Sequence, residues 1–440
     1  MKTYAKTLGK SILLVVVCAV AGLLLLLAAF SLPSGRTQEN MATSAAIFAK
    51  EGAYPQVNTL GANSQLDNFT DALMLMNAAY VEDTSLLDRV INVYRPVVNG
   101  ENPAQVFVSC YGEGEPADDV SAYPRYWHGY LVTLKPLLML FEYGQIRVIN
   151  AMVVAALALG VAVMMYRRGL GRYVLAYLIA LMMIDPVAIS HSLQFMTVYC
   201  LYSLAAIVFL WKREKLLASE TRLLIFFTLT GCLTSYFDFL TYPLVTYGVP
   251  ATLYLCSVPD ATWKKALKGL VLTLVAWGVG YVGMWTGKWI LGSLLGGGNL
   301  LEEALRLLRI RTSNSDAAGA QASLFMLVKR QLFRLKSPSL AVAAVYVLEM
   351  CIRDSLAAHL PAVHAGQHDV QQHQVRRRGA EQLHRLVAAL GGDDLKAFFF
   401  QIQAHQFADI GVVVHDHDSR FHQIPSSPAL FRLFYTITRL

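Results

Sequence analysis

The chain has 440 residues, 55% hydrophobic and only 15% charged, with a mean hydropathy of +0.44. A soluble globular domain carries about 25% charged residues, so the composition excludes an ordinary soluble protein and points to a membrane. The net charge of +7 does not indicate nucleic acid, because the cations form small clusters between apolar runs rather than one basic face.

A spanning helix needs about 20 mainly apolar residues. The first such run, 11–32, follows Lys2, Lys6 and Lys10. It is longer than the roughly 7–15 apolar residues of a cleaved signal peptide and reads as a retained anchor. Residues 33–145 then form a large loop with interfacial helices. Within it, 63–80 places Phe69, Leu73, Met76 and Tyr80 at helical spacing, which predicts an amphipathic helix with Asp67 and Asp71 on its polar face. Two carboxylates there suit a general base or a divalent-cation site. The structural alternative is capping, with Ser64 and Asp67 at a helix start. Asn68-Phe69-Thr70 is formally a glycosylation sequon inside this helix.

Further along, 123–147 holds Tyr126, Trp127 and Tyr130 beside Arg125 and His128, then Pro136. One reading is an aromatic belt at the membrane boundary with a snorkelling Arg125. The other is a phosphate- and sugar-facing patch.

Six apolar runs follow across 146–291, at about 146–166, 173–191, 194–211, 222–239, 242–258 and 268–291. Asp185-Pro186 is expected to turn the chain, and Asp238 to stand at the rim of a span. Gly278, Gly280, Gly283 and Gly287 predict close helix packing. Alternate loops are basic: Arg167, Arg168 and Arg172; Lys212, Arg213 and Lys215; Lys264, Lys265 and Lys268. Cytoplasmic loops are enriched in Lys and Arg. The N-terminus is therefore expected inside, and 33–145 and 292–338 outside, a multi-pass protein of a bacterial cytoplasmic membrane. The fold class is an all-α membrane bundle of about seven complete spans plus one truncated span, with a large extracytoplasmic first loop. The cysteines lack metal-ligand spacing.

The segment 292–338 carries Arg306 and Arg309 opposite Leu301, Leu305 and Leu308. It reads as an amphipathic interfacial helix, or as a site for a lipid phosphate. A last span starts at 339 and stops near 350. Beyond that point the text changes, with nine histidines between His359 and His422 against His128 and His191 before. The string 350–355, MCIRDS, resembles a translated sequencing-adapter junction, which implies a non-native or disordered tail over 351–440. Alternatives are a genuine soluble tail and a metal site around His415 and His417.

The layout of the first 350 residues, together with LDNFTD and YPRYWHGY, resembles the GT-C superfamily of lipid-linked-sugar glycosyltransferases. The resemblance implies transfer from a polyprenyl-phosphate sugar on the extracytoplasmic face of the membrane. It implies Asp67 and Asp71 as catalytic candidates, with Glu39 nearer the first span. Arg125, His128 and Trp127, with Arg306 and Arg309, become the donor contacts, and a divalent cation the candidate cofactor. A transporter or lipid flippase, and a non-catalytic cell-envelope protein, remain the other classes.

Overall fold

The structure, a computed structural model, describes residues 2–57, 64–238, 241–258, 261–296, 298–300 and 302. The chain divides into the units Met1–Glu349 and Met350–Leu440, and the described residues belong to the first. The sequence readings for Arg306, Arg309, the run from 339 and the tail after 350 lie outside the described residues.

The described residues are mostly helical. In order come α1 (Lys2–Phe30), α2 (Gly35–Glu51), α3 (Asn68–Ala79), α4 (Leu86–Asn92), β1 (Tyr94–Val97), α5 (Pro103–Phe107), β2 (Asp119–Ala122) and α6 (Leu131–Leu140). Then follow α7 (Tyr143–Arg167), α8 (Val174–Met183), α9 (Pro186–His191), α10 (Leu193–Trp211), α11 (Arg213–Leu217), α12 (Glu220–Phe237), α13 (Pro243–Cys256) and α14 (Trp263–Gly296). Among the described residues the strands are a small antiparallel hairpin, pairing Tyr94 with Ala122 and Val97 with Asp119, beside a lone bridge between Gln56 and Gln65.

Among the described residues four helices are long and apolar enough to cross a membrane: Tyr4–Phe30 of α1, then α7, α10 and α14. Their outer faces leave Ile12, Leu13, Val17, Met152, Leu159 and Val282 exposed, the pattern of a surface that faces hydrocarbon rather than water. The other three expected runs differ from a simple span. The run at 173–191 is split, because Asp185 turns at φ +57 and caps the new helix α9 with bonds from the Val187 and Ala188 amides. The run at 242–258 gives the 14 residues of α13, with Pro250 inside. The run at 222–239 gives the 18 residues of α12, most of them buried.

Helix α12 packs tightly against α14. Gly231 and Gly280 face each other, and a Cβ on Gly280 would overlap the Thr228 carbonyl, as one on Gly231 would overlap that of Trp277. Small residues let two backbones approach in this way where lipid offers no hydrophobic drive. Of the other glycines expected in this role, Gly283 and Gly287 touch Val15 and Ala19 of α1, whereas Gly278 faces open space.

The loop between α1 and α7 folds into its own layer on one end of the bundle. One apolar core runs from α1 through Met41 and Phe48 of α2, Leu73–Met76 of α3 and Phe107 of α5 to Leu134 and Leu138 of α6. Helix α3 is therefore not amphipathic. All its residues but Phe69 are buried, because α2, α5, α6 and α10 pack around it.

The basic loops gather at the opposite end. The Tyr4 hydroxyl donates to Glu220 at 3.2 Å, Arg168 pairs with Glu214 at 2.9 Å, and Lys268 stands over the Tyr4 ring. A shallow groove of about 410 Å³ lies there too, along the first turns of α14 from Trp263 to Leu272.

Candidate functional site

Two polar clusters sit at the two ends of α3. The first gathers where α2, α3, α7 and α10 meet. Asp67 is the N-cap of α3, accepting from the Thr70 amide and hydroxyl, both at 2.9 Å. The expected Ser64 cap is thus one cap too early. Asp67 also accepts a short bond from Gln194 of α10, and Gln194 in turn accepts from Thr241 at 2.7 Å. Asp67 is half-buried.

Asp71, one turn further on, is completely buried. Its carboxylate accepts from the Leu193 amide at 2.9 and 3.0 Å, from Ser192 Oγ at 3.2 Å, and from the Tyr143 hydroxyl. Leu193 is the first residue of α10, so Asp71 supplies from another helix the acceptor that a helix N-terminus lacks. Burial pushes its carboxyl up to about 6, against the lowering effect of the Tyr143 and Leu193 bonds. The two acids share one end of α3 but not one role.

Beside them, Arg147 makes a bidentate pair with Glu51, at 2.7 and 2.9 Å. It also donates to Asn68 Oδ1 at 3.1 Å and to the His191 carbonyl at 3.1 Å. Burial alone would raise the Glu51 carboxyl, but the Arg147 guanidinium and the Asn68 amide hold it below its ordinary value. Glu51 and Arg147 drew no attention in the sequence. Ninety-six positions separate them, and no motif announces the pair.

The second cluster lies at the other end of α3, around Asn77. Six residues separate Asn77 from Asp71, roughly 9 Å along a helix axis. Asn77 donates to the Tyr130 hydroxyl at 3.0 Å, and that hydroxyl lies 3.1 Å from His128 Nδ1. His128 Nε2 stands 2.8 Å from the Tyr123 carbonyl. A carbonyl only accepts, so Nε2 carries the proton and Nδ1 is left to accept from Tyr130. Burial, with Lys288 and Arg95 close by, pushes the imidazole down to about 3. His128 is therefore neutral at any ordinary pH.

Trp127 is also inside, 1% exposed, and donates to the Met284 carbonyl at 2.6 Å. The expected aromatic belt is instead a plug. Gly129 is the reason: a Cβ there would overlap Tyr236, and without one the loop presses its amide onto the Tyr236 carbonyl at 2.9 Å. Trp127 and His128, expected as substrate contacts, are packing residues in this arrangement.

Arg125 stays half-buried at the edge of this cluster, its guanidinium 5.1 Å from the centre of the Tyr123 ring. Arg95 of β1 stands at the same distance from the same ring, and sequence reasoning passed it over. Among the described residues no three His, Cys, Asp or Glu side chains converge to hold a metal ion. Asp67 and Asp71 thus provide only part of a ligand set for the expected divalent cation.

No family model, no curated protein and no solved structure matches the chain.

Proposed function

We propose that this chain is a membrane-embedded glycosyltransferase of the GT-C kind, taking a sugar from a polyprenyl phosphate at the face that carries the α2–α6 layer. The observation that supports it is the division of labour between the two acids. Asp71 is sealed against the start of α10, while Asp67 stays half-exposed at the junction of that layer with the bundle. A general base must reach the acceptor hydroxyl, and of the two acids Asp67 is the one a substrate reaches. The N-terminus and the basic loops are assigned to the cytoplasm by the bias of Lys and Arg.

The test is sugar transfer by the full chain in membranes, with a panel of polyprenyl-phosphate sugars. Loss of a general base removes about 10²–10⁴-fold in rate. Asp67→Asn is expected to fall in that range without loss of folded protein. Full activity in Asp67→Asn would overturn the assignment.

One feature favours a second reading, a lipid flippase. Helix α8 breaks at Asp185 and α9 breaks again at Ser192, beside the Arg147 and Asp71 network, and discontinuous helices with polar ends mark transport sites. Movement of lipid across vesicles without sugar transfer would select it.

A further inference from the structure

Arg95 and Arg125 form an unusual pair. Both guanidinium groups stand 5.1 Å from the centre of one ring, that of Tyr123. Their loops are fixed by the hairpin, in which Arg95 pairs with Ser121. Nη1 of Arg95 is buried and, among the described residues, has neither a hydrogen-bond partner nor a carboxylate within ion-pair distance. A buried donor left unmade costs about 1–3 kcal/mol and more when charged, and a second like charge beside it adds to that cost. Orphaned groups of this kind are rare in native proteins and commonly mark a missing ion or ligand.

Three further observations bear on this place. Lys288 Nζ, buried 5.8 Å from the centre of the Trp127 ring and donating to the Ile91 carbonyl at 3.0 Å, adds a further nitrogen donor beside the cluster. The backbone is held at φ +43 at the β-branched Val93 and at φ +56 at His128, on both flanks of the pair; such strain clusters at ligand clamps. The cluster is also continuous with a ladder of aromatic rings on α14. Tyr281, Trp285 and Trp289 follow at one-turn intervals, with centroids 5.9 and 5.4 Å apart, all half-buried. Trp285 meets Tyr126 edge-on at 5.8 Å, and Trp289 Nε1 donates to the Arg125 carbonyl at 3.2 Å.

We propose that Arg95 and Arg125 bind the phosphate of a long-chain lipid monoester, with its apolar chain lying along Tyr281, Trp285 and Trp289 of α14. Two guanidinium forks suit phosphate oxygens bidentately, and the ring ladder offers an apolar track that begins in a helix long enough to cross the membrane. The inference deepens the proposed function and rests on it for the identity of the lipid.

The experiment measures equilibrium binding to the full chain in nanodiscs, followed by tryptophan fluorescence. The probes are decaprenyl phosphate, inorganic phosphate and decaprenol. The phosphorylated lipid is expected to bind tighter than inorganic phosphate by tenfold or more, and decaprenol not to saturate. Arg95→Gln and Arg125→Gln should each raise its Kd at least tenfold, and Trp285→Ala should erase the preference over inorganic phosphate. Arg95→Lys, which keeps the charge but loses the fork, should fall between; it carries the test if Arg95→Gln fails to fold. Unchanged affinity in the Arg95 and Arg125 variants would overturn the site, and so would equal binding of decaprenol. Equal binding of inorganic phosphate would overturn the apolar track. Asp67→Asn separates the two proposals. It should bind the lipid phosphate normally here, whatever its transfer rate, and full transfer with binding lost only in the arginine variants would sink the catalytic reading alone.

Discussion

Asp71 closes the N-terminus of α10 from a position 122 residues earlier in the chain. Removing the carboxylate orphans the Leu193 amide and the Tyr143 hydroxyl together, so Asp71→Ala is expected to cost about 2–4 kcal/mol, the range for broken buried networks. Its titration gives a signed prediction. Folding raises the carboxyl from its ordinary value to about 6. The unfolded chain therefore loses its proton first, and this group's contribution to stability falls as pH rises between about 4 and 6, by up to about 1.4 kcal/mol per unit. Asp71→Asn cannot ionise and should flatten that part of the curve. Unfolding of purified protein in detergent at pH 4.5 and 6.5 measures it, and an unchanged slope in Asp71→Asn would count against the burial argument. Glu51, whose carboxyl is held low, works in the opposite sense. Its stabilisation is present at neutral pH and lost as the medium becomes acidic enough to protonate it in the fold.

Spacing put Asp67 and Asp71 together on one polar face, but in the structure Asp71 is buried, and spacing alone could not divide their roles. That division depends on Leu193 and Gln194, partners more than a hundred residues away. The buried lysines were invisible for the same reason. Lys135 donates to the Ala78 carbonyl at the end of α3, and Lys288 to that of Ile91 at the end of α4. Each supplies a donor to a carbonyl that the end of a helix leaves without a partner.

Among the elements, the α12–α14 crossing is the most demanding. Glycine within a helix costs about 1 kcal/mol relative to alanine, and here the close approach of two backbones offsets it. Gly280→Val should force α14 away from the Thr228 carbonyl and lower the thermal midpoint by several degrees, whereas Gly278→Val, facing open space, should change it little. Equal effects at both positions would show that the crossing does not depend on contact at Gly280. Hydropathy found α1, α7, α10 and α14 because a long apolar run has few other fates. It did not find the break at Asp185, since the residues on both sides are equally apolar and only the local turn separates them. The hairpin of β1 and β2 was missed too. Its strands are four residues each, too short for alternation to register.

Over the described residues, chain order alternates between two ends. Tyr4, Arg168, Glu214, Glu220 and Lys268 meet at one, and Glu51, Asp71, Arg147 and His191 at the other. The alternation of basic loops in the sequence is the reason to expect such a sorting. Which end faces the cytoplasm is a separate matter, and reporter fusions after Gly100 and after Glu214 decide it. Extracytoplasmic activity is expected at the first and cytoplasmic activity at the second; the reverse pattern would invert the assignment.

Helix α14 has 34 residues, about 51 Å at 1.5 Å per residue, against a hydrocarbon core of about 30 Å. A rod of that length must lean or stand proud of the lipid, and its far end carries Trp285, Lys288 and Trp289. It therefore acts as a lever whose fulcrum is the glycine contact with α12. A change of some ten degrees in its lean would carry Trp289, about 14 Å beyond that fulcrum at 1.5 Å per residue, through roughly 2.4 Å, enough to make or break its bond to the Arg125 carbonyl. Bilayer thickness, which sets such tilts at modest cost, thus becomes a mechanical input to the cluster of rings and cations at its end.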